Sequence, residues 1–259
     1  MLPKADLLKG TEHTDCVTRV LDQGEQALKT WEVVQSDFLS PPEAMAVEQV
    51  LAQLTELHWV RGGGYPQAER QRLAIARAEL PLEASQVDLV ALAIAGNFLF
   101  DPASHRDFLG ALLGTGLVRS KVGDIVVLGE RGAQAIVVPE LADFLQQHLT
   151  QVRTVPVKTT VIPFAELKVR EPHRKEITTV EASLRLDAIA SAGFGMSRSK
   201  MTGLIAGGDV RVNWKEITQP SYSLKSGDLV AIRGKGRLTV GEVMITKKER
   251  YRIQLARDS

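Results

Sequence analysis

Apolar residues in the first third of the chain recur mostly at helical spacing. Val17 to Val34 alternates charged and apolar positions in the pattern of a helix with one buried stripe. Ser40-Pro41-Pro42-Glu43 reads as an N-cap followed by proline in the first turn, and Met45 to Leu57 continues the period. Arg61-Gly62-Gly63-Gly64-Tyr65-Pro66 interrupts it as a flexible turn, and a further helix is predicted from Pro66 through Ala68-Glu69-Arg70-Gln71-Arg72-Leu73 to Ala76. Residues 1–80 are thus expected to form a helical N-terminal region. Beyond them the period shortens. Val87–Ala95 reads as a strand, Ser104 caps a helix through Leu113, and Asp124–Leu128 and Ala133–Val138 read as two strands joined at Glu130-Arg131-Gly132. Pro139–Leu149 reads as a helix and Val152–Val161 as a last strand. Strand, helix, two strands, helix, strand is the order of a split β-α-β, or ferredoxin-like, unit, which places a middle domain at residues 81–162.

Residues 163–182 read as a connector, because Pro163, Pro172 and the mixed charges of Arg170 to Glu176 leave no apolar stripe. The last domain, residues 183–259, opens with two short helices and a strand. Leu186, Ile189 and Ala190 share one face of the first helix, and Met201, Leu204 and Ile205 share one face of the second. A later strand runs from Leu238 to Ile245. The fold class expected overall is α+β.

At 259 residues with 44% hydrophobic positions, the chain has enough material for two or three packed cores. Its net charge of +1 conceals an asymmetry that changes the reading. Residues 1–150 hold 12 Lys+Arg against 20 Asp+Glu, and residues 151–259 hold 20 against 11, so the halves carry −8 and +9. A basic half attracts phosphate through local field and counterion release whatever the average charge. Cys16 is the sole cysteine, so no intramolecular disulfide forms, and no Cys/His spacing suits a metal. No apolar run reaches the length of a membrane span and no secretory signal pattern opens the chain, which makes a reducing, cytoplasmic setting the expectation.

The candidate chemistry gathers around the second helix of the last domain. Arg198 and Lys200 sit at its start, where unpaired N–H groups and the positive end of the dipole favour an anion such as phosphate. Arg185, Arg211 and Lys215 are expected nearby as further phosphate ligands, with Ser197, Ser199 and Asn213 adding hydrogen bonds. Arg233-Gly234-Lys235-Gly236-Arg237 forms a second basic element on a loop, where glycine lets the chain approach a nucleic-acid backbone closely. No catalytic set emerges. Arg185-Leu186-Asp187 is similar to the motif around the catalytic aspartate of pseudouridine synthases, but an aspartate flanked by arginine on a helix reads first as a local charge pair. Gly195-Met196-Ser197-Arg198-Ser199 lacks the His-x-Gly-His partner that an aminoacyl-tRNA synthetase requires. His105-Arg106-Asp107 has Leu112 where a kinase catalytic loop places asparagine. No glycine-rich strand-to-helix turn is present for a nucleotide cofactor, and no cofactor is expected.

These residues also carry a family resemblance. Arg185-Leu186-Asp187, Ser197-Arg198-Ser199, Leu204-Ile205, Gly208 to Asn213 and Lys225-Ser226-Gly227-Asp228 follow one another as in the small RNA-binding domain of ribosomal protein S-four. One departure is Trp214 after Asn213, where many such domains have glycine suited to a type I′ turn. Upstream, His105 to Gly114 with Gly116, Arg119, Lys121 and Gly123-Asp124-Ile125, and Gly63-Gly64-Tyr65-Pro66 with Ala68-Glu69-Arg70, resemble the YlmH-like proteins. The resemblance implies a non-catalytic RNA-binding protein that meets structured RNA, ribosomal or transfer, on the large ribosomal subunit in translation quality control. It implies a secondary RNA contact at His105, Arg106, Arg119 and Lys121. The chain also resembles a cyanobacterial and plastid branch named for photosystem II, which implies a plastid stroma setting for a plant protein. Two alternatives are carried beside this reading: an adaptor whose acidic N-terminal half docks a protein partner, and an RNA-modifying enzyme.

Overall fold

The computed structural model describes residues 2–169, 174–232 and 235–258, which fall into two compact units, one ending at Val169 and the other beginning at Arg170. The first unit opens with α1 (Lys4–Leu7), α2 (Thr14–Thr30), β1 (Val34–Gln35), α3 (Pro41–Leu51), β2 (Leu57–Gly62) and β3 (Arg72–Arg77). Val17, Val20, Leu21 and Ala27 give α2 a stripe that packs with Val47, Val50 and Leu51 of α3 onto β3. Ser40 and Glu43 close a capping box at the start of α3, with proline in its first turn. The helix predicted from Pro66 to Ala76 is corrected: Arg72–Arg77 is the central strand of an antiparallel sheet ordered β1-β3-β2. A strand covered on both faces carries no alternation, so Leu73-Ala74-Ile75-Ala76 offers no period by which to tell strand from helix.

The unit continues with β4 (Val90–Ala95), α4 (His105–Gly114), β5 (Val122–Val127), β6 (Gly132–Val137), α5 (Ala142–His148), a hairpin of β7 (Gln151–Val152) and β8 (Val155–Pro156), and β9 (Lys158–Ile162). Ser104 and Asp107 cap α4 in the same way that Ser40 and Glu43 cap α3. The antiparallel sheet is ordered β5-β6-β4-β9, the ferredoxin-like order expected. Phe108, Leu112 and Leu145 of the two helices bury against Leu92, Ile94, Ala133 and Ala135 on one face. Phe38, Tyr65, Leu141 and Leu167 cover the other face through Ile136 and Val138.

The second unit consists of β10 (Arg174–Glu181), α6 (Leu186–Phe194), α7 (Arg198–Ala206), β11 (Val210–Val212), β12 (Lys215–Glu216), β13 (Leu229–Ile232), β14 (Gly236–Ile245) and β15 (Tyr251–Asp258). Its sheet is ordered β10-β15-β14-β13-β11-β12. Leu186, Ile189 and Phe194 of α6 and Met201 and Ile205 of α7 pack on Val212, Val230, Leu238, Val240, Ile253 and Leu255. Part of the expected connector is a strand. β10 pairs with β15 from Arg174 to Glu181, because Ile177-Thr178-Thr179-Val180 is β-branched throughout. Pro172 and His173 lie outside the described residues.

Candidate nucleic-acid interface

The turn between α6 and α7 builds the first group of cations. Gly195 ends α6 in the left-handed region, at φ 66°, which directs the chain back along the first helix. Ser197 then adopts an extended conformation, and its hydroxyl oxygen accepts the Lys200 N–H at 3.3 Å, so α7 begins at Arg198 with a side-chain cap. The N–H groups of Arg198 and Ser199 precede any helical partner and point out of the helix end, as at other sites that favour phosphate.

Asp187 organises this corner. It is 5% exposed, and Arg185 donates to it from Nε at 3.0 Å and from Nη2 at 3.1 Å. Arg198 donates to the same carboxylate from Nε and Nη2, each at 3.2 Å. Burial pushes the Asp187 carboxyl up, but the two guanidinium groups outweigh it and hold the net pKa below the usual aspartate range. Arg198 is not a lone cation: one carboxylate is shared by two arginines, and the trio carries one net positive charge. Their side chains remain 41% and 55% exposed, so both guanidiniums are accessible while fixed in place. Lys200 is exposed but does not pair with Arg198 in a single grip. Two helical positions turn it about 200° round the axis, so it lies on the opposite flank of α7, with exposed Ser199 between.

The sheet carries a second group. Val210 and Val212 face the core, which turns Arg211 of the same strand outward. Register aligns Arg211 with Ala231 and then with Arg237 across β11, β13 and β14, on the face away from the helices. β11 and β12 are joined by a two-residue turn in which Asn213 and Trp214 both have positive φ, 48° and 68°. That is the type I′ sign expected of Asn-Gly, and tryptophan adopts it here. The Arg237 guanidinium lies 5.2 Å from the centre of the partly exposed Trp214 ring.

Asn213, expected as an RNA ligand, has its side chain engaged within the hairpin. Its Nδ2 donates to Asp228 at 2.8 Å and its Oδ1 accepts the Leu229 N–H at 3.0 Å, so the amide holds the hairpin. Asp228 in turn accepts the Lys225 N–H at 2.7 Å, which gives Lys225 to Asp228 a structural task. Lys215 and Lys235 are exposed, and Arg233 lies outside the described residues.

In the first unit the four secondary candidates differ in what engages them. His105 and Arg106 are exposed at the start of α4, where desolvation and then the charge of Arg119 hold the His105 pKa below the usual histidine range. Arg119 and Lys121 turn inward instead. Arg119 donates to the carbonyls of Val122 and Gly123, and Lys121 pairs with Asp37 at 2.5 Å. RNA-recognition folds of similar topology stack bases on the open sheet face, but here Gln134 on that face bonds Glu166 and Lys168, and Phe38 packs with Ile136. Among the described residues no group of three or more His, Cys, Asp and Glu could hold a metal ion, and no helix is long and apolar enough to cross a membrane.

Comparison with known proteins follows the same divisions. Residues 12–80 match the YlmH N-terminal family, residues 83–166 the family of an RNA-binding domain in YlmH, and residues 184–230 the S4 domain. The chain is 34% identical over 241 residues to the ribosome-associated protein quality control protein P2 of Bacillus subtilis, covering 90% of this chain and 93% of that one. It is 36% identical over 64 residues to the small ribosomal subunit protein uS4 of Thermosipho africanus, covering 24% of this chain and 31% of that protein. The structure of the cell division protein ylmH from Streptococcus pneumoniae superposes with a TM-score of 0.53 at 21% identity, over 61% of this chain and 95% of the other, and shows the shared fold.

Proposed function

This chain belongs to the YlmH family, and from that premise we propose that it is a non-catalytic RNA-binding protein that associates with the large ribosomal subunit in the quality control of stalled translation. The observation that carries the reading is the corner between α6 and α7. A capped helix start and two arginines fixed by one buried carboxylate form an anion site within an S4 domain, with exposed Lys200 on the other flank of α7. Arginines held in place lose little freedom when a phosphate arrives, and their planar forks suit its oxygens. Arg211 and Arg237 on the outer face of the sheet, with Trp214 of the hairpin beside Arg237, supply a second contact line, and exposed Lys215 and Lys235 add charge at its margins. Such a surface recognises folded ribosomal or transfer RNA by backbone path, with Trp214 available to an unpaired base. The relation over 90% of this chain to a ribosome-associated quality control protein supports the setting, which is cytoplasmic.

Co-sedimentation of the full chain with purified large and small subunits, and with transfer RNA, tests this directly. Retention with the large subunit that falls steeply between low and moderate salt is expected, and Lys200→Glu with Arg211→Glu should abolish it. Binding insensitive to salt and to both changes would overturn the RNA grip. Retention with the small subunit alone would overturn the choice of subunit.

A further inference from the structure

The first unit contains a cavity of about 380 Å³ that the RNA reading does not use, lined in part by Cys16, Arg19, Gln23, Glu43, Arg70 and Arg119. Cavities of this volume accommodate a small organic ligand. Its electrostatics are uneven. Arg70 donates to the carbonyls of Val122 and Phe38, and Arg119 to those of Val122 and Gly123, so among the described residues neither guanidinium makes a hydrogen bond to a carboxylate. Glu43 and Asp124 offset part of the charge of Arg70 and Arg119, but the hydrogen bonds of the nearby carboxylates go to other groups. Asp37 takes Lys121 and Ser120, Glu43 closes the capping box on Ser40, and Asp124 accepts from Tyr65 and the N–H groups of Glu69 and Arg70.

Arg19, Arg70, Arg119 and Lys121 set against Asp37, Glu43 and Asp124 leave one positive charge in excess around a concave, half-buried space. Burial, and then the like charge of Arg70, push Arg119 down to about 10. Guanidinium groups that repel each other out of bulk water are a destabilising arrangement that an anion relieves. A second observation points the same way. The Oε1 of Gln23, buried at the wall of this cavity, accepts no hydrogen bond. The ligand that completes the site therefore brings an anionic group for the arginines and a donor for Gln23. Burial holds the Cys16 thiol up at about 11, which leaves it protonated and makes the site one of binding without covalent attack.

We propose that this cavity binds a small phosphorylated ligand of mononucleotide size, its phosphate against Arg19, Arg70 and Arg119 and a base or ribose donor against Gln23. The assignment is independent of the RNA grip in the second unit.

Thermal melting and calorimetry of the full chain with inorganic phosphate, pyrophosphate and the four nucleoside monophosphates test it. At least one mononucleotide should raise Tm by roughly 3–6 °C at tenfold its Kd and should bind at least tenfold more tightly than inorganic phosphate. Arg19→Ala, on an exposed position of α2, should weaken that binding at least tenfold without disturbing the fold, and Arg119→Gln should do so further. Gln23→Leu should erase the preference over inorganic phosphate. Lys200→Glu should leave all of it unchanged. No shift with any of these probes, or a shift that survives both arginine changes, would overturn the proposal. So would affinity for an RNA oligomer that depends on Arg119 while mononucleotides stay inert, which would assign the cavity to an RNA phosphodiester instead.

Discussion

Arg198, the first residue of α7, reaches back across the turn to Asp187 in α6, its Nε and Nη2 each 3.2 Å from a carboxylate oxygen. The contact separates two cations that look equivalent in sequence. Lys200→Glu should weaken RNA association and reduce the salt dependence by roughly one phosphate contact while leaving the thermal melt unchanged, because the side chain is exposed. Arg198→Glu should weaken RNA association and lower the melt as well. It removes a phosphate ligand and sets a second carboxylate beside buried Asp187, which should lower stability by about 1–2 kcal/mol. Melting curves beside gel shifts separate the outcomes, and identical melts for the two variants would refute the distinction.

Asp187 also predicts an acid limit for the second unit. Its folded pKa is held below the unfolded value by Arg185 and Arg198 against the opposing effect of burial. A depressed carboxyl contributes stability above its unfolded pKa, and the contribution is lost as pH falls through the folded value. The window lies below about pH 4. Denaturant midpoints measured from pH 7 to pH 3 should fall more steeply for the native chain than for Asp187→Asn, which is less stable at neutral pH and converges with it in acid. Parallel curves across that range would show that the carboxylate is not coupled to folding.

The glycine run of the first unit is a packing device. A Cβ on Gly63 would lie 2.4 Å from the Ala68 Cβ and 2.6 Å from the Arg70 carbonyl oxygen. Gly64 has φ +89°, and its Cβ would meet Ile136 at 2.8 Å and Phe164 at 2.9 Å. Gly64→Ala should therefore cost about 2–4 kcal/mol from strain and overlap, seen as a lowered midpoint for the first unit. A variant as stable as the native chain would restore the flexible-turn reading.

What could be read from residue order and what could not divide along physical lines. Capped amphipathic helices were legible because their signals are local: Ser40 with Glu43, Ser104 with Asp107, and Ser197 ahead of Arg198 each stand at the start of a helix. The ferredoxin-like order was legible because short apolar runs are set between capped helices and turns, although β6 is itself buried on both faces. β3 was not, since a central strand with both faces covered has no alternation to show. The same locality explains the site. Arg185 and Asp187, two positions apart, suggest their own pairing, whereas Arg198 joins them across a helix turn that only the fold brings to 3.2 Å. The structural engagement of Asn213 is hidden for the same reason, its partner Asp228 lying fifteen positions away.

Trp214 offers a test in which stability and affinity move apart. A non-glycine residue at φ 68° is strained by about 1–2 kcal/mol, and glycine relieves it. Against that stand the lost cation–π contact with Arg237, about 0.5–1 kcal/mol at a partly exposed site, and the greater chain entropy of glycine, about 0.5–1 kcal/mol. These nearly cancel, so Trp214→Gly should melt close to the native chain. The contact with RNA has no such compensation. If the ring stacks on a base, its loss should weaken binding by about 1–3 kcal/mol, or roughly 5- to 150-fold in Kd, and Trp214→Phe should recover much of it. A variant that loses several degrees of Tm yet keeps its RNA affinity would place tryptophan in the hairpin for packing alone. In that case Arg211 and Arg237 would be left to hold the second contact line without an aromatic between them.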